Sequence, residues 1–474
     1  MNITGKIIEE IGSFDGIAVI DRGKTFHYQE LLKCSLEFAQ ILAKSGVQAG
    51  MRVGLIADDS FEYIAASLAL LSLNAALVPL STRASKEELR RMPDQVGLNA
   101  LLAPAEYKTD DAKQLSVPDL FRMPFYLTLR ANKIDRFELP GGRIPAFIRF
   151  SSGTTGSNKG VILSHDAVLE RTSACTGLGV TRGEYVLWVL DMAFHFVVTI
   201  LLFLRKGAAI VICERPIESN MRKAIAEYPI RLLYATPYHY RLMTSSPDFE
   251  PDSLRGIRLA LSTAMKLELA DAQAFRRKFG LPLNQAYGII EVGLPCINNT
   301  DDESKFDSAG RIQDAYELKI DSPDPNGLGA VMIRGPGMFD AYLSPFRTRQ
   351  EICPDGWFAT GDIGRVDPDR CLFIAGRSKN VIIFAGMKIF PYEVESVLNG
   401  FAFVEESRVS GKKIPGLGEI PVAEIVLKTD APSDWAEILR KDCFRLLAAY
   451  KVPKEFVSVK SLPHTASGKI QRHT

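Results

Sequence analysis

The 474-residue sequence has no cysteine pattern that could form a scaffold or a metal site. Its seven cysteines, Cys34, Cys175, Cys213, Cys296, Cys353, Cys371 and Cys443, are scattered, and no two form a Cys-x-x-Cys pair. A disulfide framework and a zinc site are therefore not expected, and a reducing, cytoplasmic setting fits. Charge of either sign is not in excess: 57 Lys and Arg stand against 56 Asp and Glu, for a formal net charge of +1. A general nucleic-acid binder would carry a basic surplus. The balance still allows a local basic pocket for a phosphorylated ligand. The N-terminus has no basic stretch followed by an apolar core, so no secretory signal is read. Long apolar runs are also lacking. The stretch from Tyr63 to Leu80 carries no charge, but Asn74, Pro79 and two serines interrupt it. It reads as a buried helix (Tyr63 to Ser72) followed by a buried strand (Ala75 to Leu80) rather than a membrane span. A second run, Phe196 to Leu204, ends at Arg205 and Lys206, so no transmembrane segment is expected.

What is present is ordinary globular composition, with 46% hydrophobic and 24% charged residues. That length exceeds one simple core and predicts about three domains, or one large and one small. In the first half, short apolar runs (Ile17 to Ile20, Arg52 to Ile56, Ala100 to Leu102, Ala146 to Phe150, Ala208 to Cys213, Leu232 to Ala235) alternate with helical patterns. Those helices include Tyr28 to Ser45, Met221 to Ala226 and Leu267 to Phe279, which stops at Gly280. Alternation of this kind predicts mostly parallel sheets covered by helices. From about Ile312 the texture changes to antiparallel strands (Ala315 to Ile320, Gly329 to Ile333, Leu372 to Ile374) with Asp, Pro and Gly turns. The last stretch has helices at Pro391 to Leu398 and Trp435 to Ala448, and strands at Val422 to Leu427 and Glu455 to Val459. The expected class is α/β. A large domain (1–377) contains parallel sheets and a small antiparallel, barrel-like part, and a small mobile α+β domain (378–474) follows it.

The strongest chemical signal is Phe150 to His165, FSSGTTGSNKGVILSH. Ser151, Ser152, Thr154 and Thr155 offer hydroxyls. Gly153, Gly156 and Gly160 let the backbone turn its N–H groups inward, and Lys159 adds a point charge. A loop of that kind after a strand suits a polyphosphate. It is not a Walker A loop, because Lys159 follows Asn158 and precedes Gly160. The competing reading is a flexible Ser/Gly linker, but this loop sits between two apolar strands.

This loop resembles the signature of the adenylate-forming (AMP-binding) superfamily of acyl-CoA synthetases, aryl and amino-acid adenylating enzymes and luciferases. Asn158 stands where the family commonly has Pro. Further motifs follow in family order, and the resemblance runs from about Thr25 to Arg472. QAYGIIEVG resembles Tyr-Gly-x-Thr-Glu, which implies Tyr287 and Gly288 near the adenine and Glu291 as a Mg²⁺ carboxylate; Ile290 replaces the usual Thr. DGWFATGDIGRVD implies Asp362 as acceptor for both ribose hydroxyls. GRSKNVIIFAGMKIFPYEVE implies Arg377 at the ribose and Lys379 as hinge. In the same stretch it implies Gly386 and Lys388 at the thiol tunnel. PHTASGKIQR implies Lys469 as the catalytic lysine, which would stabilise charge on the α-phosphate and the attacking carboxylate. Leu261 to Glu268 departs from the usual Gly-Gly-Ala-Pro at Ser262 to Met265.

Ala193 to Phe203 corresponds to the acyl-pocket region, with His195 at the gate between carboxylate and thiol. No Asp follows Phe194, so a buried substrate ammonium would lack its counter-charge, and an amino-acid substrate is discounted. The resemblance implies a ligase that uses Mg²⁺ and ATP to join a carboxylic acid, fatty or aromatic, to the thiol of CoA or of a phosphopantetheinyl carrier protein. A carrier would be a separate protein, since the chain ends at the lysine motif. The rival readings are an enzyme that loads only a dedicated carrier, and a degenerate nucleotide-binding protein supported only by Ile290 and the 262–265 departures.

Overall fold

The structure is a computed structural model that describes residues 1–84, 86–131, 139–150, 160–384, 387–414, 418–465 and 469–472. Among these, strands assemble into sheets of thirteen, nine and five. The largest sheet contains a parallel block made of Ile17–Asp21, Ala209–Ile212, Tyr185–Trp188, Ile230–Ala235, Leu259–Ser262 and Leu283–Ile289, in that spatial order. Ala209–Ile212 and Leu259–Ser262 are buried at every residue, as expected for parallel strands covered on both faces.

The same sheet continues through antiparallel strands. Gly293–Ile297 follows Leu283–Ile289, then come Gly310–Ile312, Cys371–Arg377, Phe358–Val366, Gly329–Arg334 and Glu317–Asp321. The antiparallel texture expected after Ile312 is therefore an extension of the parallel block. In the nine-stranded sheet, Pro145–Phe150 pairs antiparallel with Gly160–Ser164, and Phe150 stands opposite Gly160. Those two residues flank the hydroxyl-rich segment.

The uncharged run from Tyr63 resolves as expected. Helix Phe61–Ser72 starts where Ser60 Oγ accepts from Tyr63 N at 3.1 Å, and strand Ala76–Leu80 follows. Among the described residues, no helix is long and apolar enough to cross a membrane.

The C-terminal part has its own sheet: Ile382–Phe384, Met387–Ile389, Val404–Ile414, Gly418–Leu427 and Glu455–Val459. Helices Pro391–Asn399 and Trp435–Leu446 cover it, and Ile389, Val394, Leu398, Ile425, Leu439 and Cys443 form a separate apolar core. The chain is thus an α/β protein with a large N-terminal and a small C-terminal domain.

Candidate active site

The first corner of the site is built by strand register. Phe358–Val366 and Cys371–Arg377 run antiparallel with Asp362 opposite Arg377. Arg377 Nε lies 2.7 Å from Asp362 Oδ1, and the Tyr287 phenol donates to Asp362 Oδ2 at 2.5 Å. Thr360 ties the corner together: its Oγ1 accepts from Asp362 N at 3.1 Å and its carbonyl accepts from Arg377 at 3.0 Å. Asp362 is buried, and burial raises its carboxyl above the usual range against the pull of Arg377, Tyr287 and Lys469. A carboxylate has about four acceptor sites, so these two partners leave capacity for a diol.

Glu291 follows strand Leu283–Ile289 across a turn closed by Val292 N to Ile289 O at 3.1 Å. Buried Arg171 donates to Ile290 O at 3.1 Å and to Gly337 O, while Phe339 N donates to Glu291 O at 2.7 Å. These bonds fix the turn, and Tyr342 OH donates to Glu291 Oε1 at 3.2 Å. Gly288 is exposed, but a Cβ there would meet Gly293 O at 2.6 Å, so the bulge next to it requires glycine.

Lys469 is carried by a hairpin of the small domain. Lys469 N donates to Thr465 Oγ1 at 3.1 Å, Thr465 N to Lys469 O at 2.7 Å, and Gln471 N to Pro463 O at 2.8 Å. Arg472 anchors its base with two hydrogen bonds to buried Glu395, at 2.7 and 2.5 Å. Lys469 is exposed by surface area, yet its ammonium is crowded by protein from both domains. That crowding, with Arg149 and Arg377 nearby, pulls its pKa down to about 8, against Asp362.

The third corner is the segment around His195. Asp191 caps its helical turn by accepting from Ala193 N at 2.9 Å, and Asp59 accepts from Met192 N at 2.8 Å. A π-helical turn, Phe196–Ile200, follows, a form common at functional sites. His195 packs edge-on to Trp188 at 5.9 Å and to Tyr234 at 6.5 Å. Burial, then Arg149 and Lys469, hold its imidazole neutral, down to about 3. Tyr234 OH donates to Thr263 Oγ1 at 3.3 Å, and the next residue, Ala264, has φ +69°.

The structure therefore brings Tyr287, Glu291, Asp362, Arg377, His195 and Lys469 into one neighbourhood, where their charges act on one another or on Arg149. Lys379 is exposed in the turn Ser378–Asn380, and Lys388 is exposed on strand Met387–Ile389. Ser151, Ser152, Gly153, Thr154, Thr155, Gly156, Lys159 and Gly386 lie outside the described residues. Sequence reasoning missed Arg149, Thr360, Tyr342 and the Arg472–Glu395 anchor. The terminal motif contains Arg472, but nothing local indicates its partner.

A strand-held carboxylate and tyrosine in an α/β domain, with the lysine of a small C-terminal domain within electrostatic reach, define a class, and comparison with known proteins identifies it. A model of the AMP-binding enzyme family matches residues 12–343, and one of the AMP-binding enzyme C-terminal domain matches residues 393–469. The chain belongs to the AMP-binding enzyme family and is an ATP-dependent, AMP-forming ligase. It is 29% identical over 471 residues to a 2-succinylbenzoate–CoA ligase of Bacillus pumilus, covering 96% of this chain and 94% of the relative. It is 27% identical over 498 residues to 4-coumarate–CoA ligase 2 of Oryza sativa subsp. japonica, covering 95% and 87%. The o-succinylbenzoate CoA synthetase of Bacillus subtilis, solved with its acyl-adenylate intermediate, superposes with a TM-score of 0.83 at 23% identity, covering 99% of this chain and 97% of that one.

Proposed function

We propose that the enzyme activates a carboxylic acid with Mg·ATP and passes the acyl group to a thiol, CoA in the first instance. A carboxylate oxygen attacks the α-phosphorus, and the bond to the pyrophosphate oxygen breaks. Pyrophosphate leaves, and an acyl-adenylate remains. The thiol sulfur then attacks the acyl carbon. AMP leaves with the bonding electrons, and the thiol proton passes to solvent. The chain supplies no covalent nucleophile; it positions groups and stabilises charge.

In this reading Asp362 accepts the ribose hydroxyls beside Arg377, and Tyr287 lies against the base with Gly288. Ser151, Ser152, Gly153, Thr154, Thr155, Gly156 and Lys159 hold the phosphates. Lys469 neutralises charge where carboxylate and α-phosphate meet. Among the described residues, no cluster of three His, Cys, Asp or Glu could hold a metal by itself. Glu291 alone fits Mg²⁺, which takes one or two carboxylates and completes its shell with phosphate and water. Bound there, the ion would offset phosphate charge.

We place the boundary between the domains after Arg377, giving a large domain of 1–377 and a small one of 378–474, with Lys379 as the hinge. Turning about Lys379 would withdraw Lys469 and present Gly386 and Lys388 to the thiol. The mutual electrostatic reach of Asp362, Lys469 and His195, with Glu291 and His195 both facing the charge of Arg149, supports this reading. The named acids of the relatives, 2-succinylbenzoate and 4-coumarate, favour an aromatic acid over a fatty one. The seven cysteines are free thiols, which suits the cytoplasm.

The test is ATP–pyrophosphate exchange and AMP release with a panel of benzoates, cinnamates and fatty acids, with CoA or a phosphopantetheinylated carrier protein supplied in parallel. Exchange with an acid, and AMP release that depends on CoA, is expected. Turnover with carrier alone would replace CoA as the acceptor, and no exchange with any acid would overturn the reading.

A further inference from the structure

Arg149 lies on strand Pro145–Phe150, one residue before Phe150, and the roles above leave it unused. Its Nη1 donates to the Phe194 carbonyl at 2.7 Å, and its guanidinium stands 5.2 Å from the centre of the Phe194 ring. Its Nε is buried without a hydrogen-bond partner. Among the described residues, no carboxylate pairs with it at ion-pair distance. A half-buried guanidinium fixed by a backbone carbonyl, with donors unused, is built to receive an anion.

The question is which anion. Arg149 acts on both His195 and Lys469, and Lys469 in turn feels Asp362 and Arg377. Arg149 itself feels the carboxylates of Glu291 and Asp191. Its bond to the Phe194 carbonyl and its place over the Phe194 ring set the guanidinium against the Phe194–His195 segment, which corresponds to the acid pocket. Burial lowers its pKa to about 10, and it stays charged at neutral pH.

We propose that Arg149 is the carboxylate-binding residue for the acid being activated. Its guanidinium pairs with the substrate carboxylate beside His195 and holds the attacking oxygen against Lys469. The proposal rests on the ligase reading above and adds to it a residue on the large domain that stays in place when Lys469 moves.

The test compares Arg149→Met and Arg149→Lys with the wild type, using benzoate, octanoate and succinate in pyrophosphate exchange and ATP affinity measured without acid. Losing one charge-assisted pair is expected to raise the KM for every accepted acid by about tenfold to a hundredfold in Arg149→Met. Arg149→Lys should recover part of that loss. ATP affinity without acid should stay within about twofold, which also reports that each variant is folded.

An unchanged acid KM, or an ATP affinity that falls as far as the acid affinity, would overturn the assignment. So would a loss confined to succinate, because Arg149 would then serve a second anionic group. Exchange by the wild type with none of the acids would instead sink the ligase reading, and this inference with it.

Discussion

The corner around Asp362 and the hairpin around Lys469 lie close enough for their charges to act on each other, but they are made differently. Asp362 and Arg377 stand opposite each other in paired strands, and the buried carboxylate takes hydrogen bonds from Tyr287 and from its own strand partner. Lys469 sits on a short exposed hairpin, tied back by Arg472 to Glu395. The first construction gives a fixed grip whose geometry is set by the sheet. The second holds one ammonium at the end of a lever that belongs to another domain. In the proposed reaction, binding that must persist through two chemical steps suits the sheet, and a charge needed in only one step suits the hairpin.

The sharpest way to break this comparison is Lys469→Ala. Adenylate formation should fall by about a hundredfold to a thousandfold, the scale of removing one preorganised charge-stabilising group. Stability should not fall, because removing the crowded ammonium relieves its desolvation and its repulsion from Arg149 and Arg377. Thioester formation from supplied acyl-adenylate should be largely spared. Rapid-quench measurement of each half-reaction checks this, and equal losses in both would give Lys469 no step of its own.

Asp362→Ala probes the other construction. It should raise the KM for ATP by about tenfold to a hundredfold, since an ionised acceptor is lost. It should also cost about 1–3 kcal/mol of stability, because Tyr287 and Arg377 lose a buried partner. Thermal melts and ATP titrations separate the two effects. An ATP KM that does not move would remove Asp362 from the nucleotide site. Each variant should thus lack the other's signature.

How much of this was legible in advance follows from the same contrast. Helix Phe61–Ser72, strand Pro145–Phe150 and the stop at Gly280 (φ +68°) carry local signals, and they lie where apolar periodicity and glycine indicated. Strand Phe358–Val366 carries no clear strand signal, because its glycines and Asp362 are poor strand formers. Cross-strand pairing with Cys371–Arg377 overrides that preference. Asp362, Glu291 and Lys469 were legible as motifs. Arg149 was not, since a lone arginine at a strand end carries no signal until Phe194 folds against it. Glu395 was invisible for the same reason: its partner Arg472 is 77 residues away.

A pH series sharpens the comparison from the lysine side. An ordinary lysine keeps its proton to about pH 10.4. Lys469, lowered to about 8 by crowding and neighbouring cations, is charged below that value and neutral above it. If the charged form is the active one, kcat/KM for adenylation should be flat below about pH 8 with respect to this group. Above it, the rate should fall toward about tenfold per unit. Lys469→Arg should keep its charge and remove that alkaline limb, even at a lower absolute rate. A limb that persists unchanged in Lys469→Arg would assign it to another group.

The smallest expected effect concerns the loop after strand Leu259–Ser262, where Ala264 holds φ +69°. Alanine has no side-chain oxygen to offset the close approach of its Cβ to the backbone, which costs about 1–2 kcal/mol relative to glycine in this region. The entropy that glycine adds to the unfolded chain offsets about 0.4–1 kcal/mol of that cost. Ala264→Gly should therefore stabilise the enzyme by about 0.5–1 kcal/mol in denaturant titration. The residue follows Thr263, whose hydroxyl accepts from Tyr234 behind His195. Strain of this sort gathers where a backbone shape is tied to function. Freeing it should lower kcat/KM for the acid by up to about threefold while leaving the ATP KM alone. A variant that loses stability would mean that the packing of the Ala264 methyl outweighs its strain. The loop would then be an ordinary part of the large-domain core rather than a stressed wall of the site.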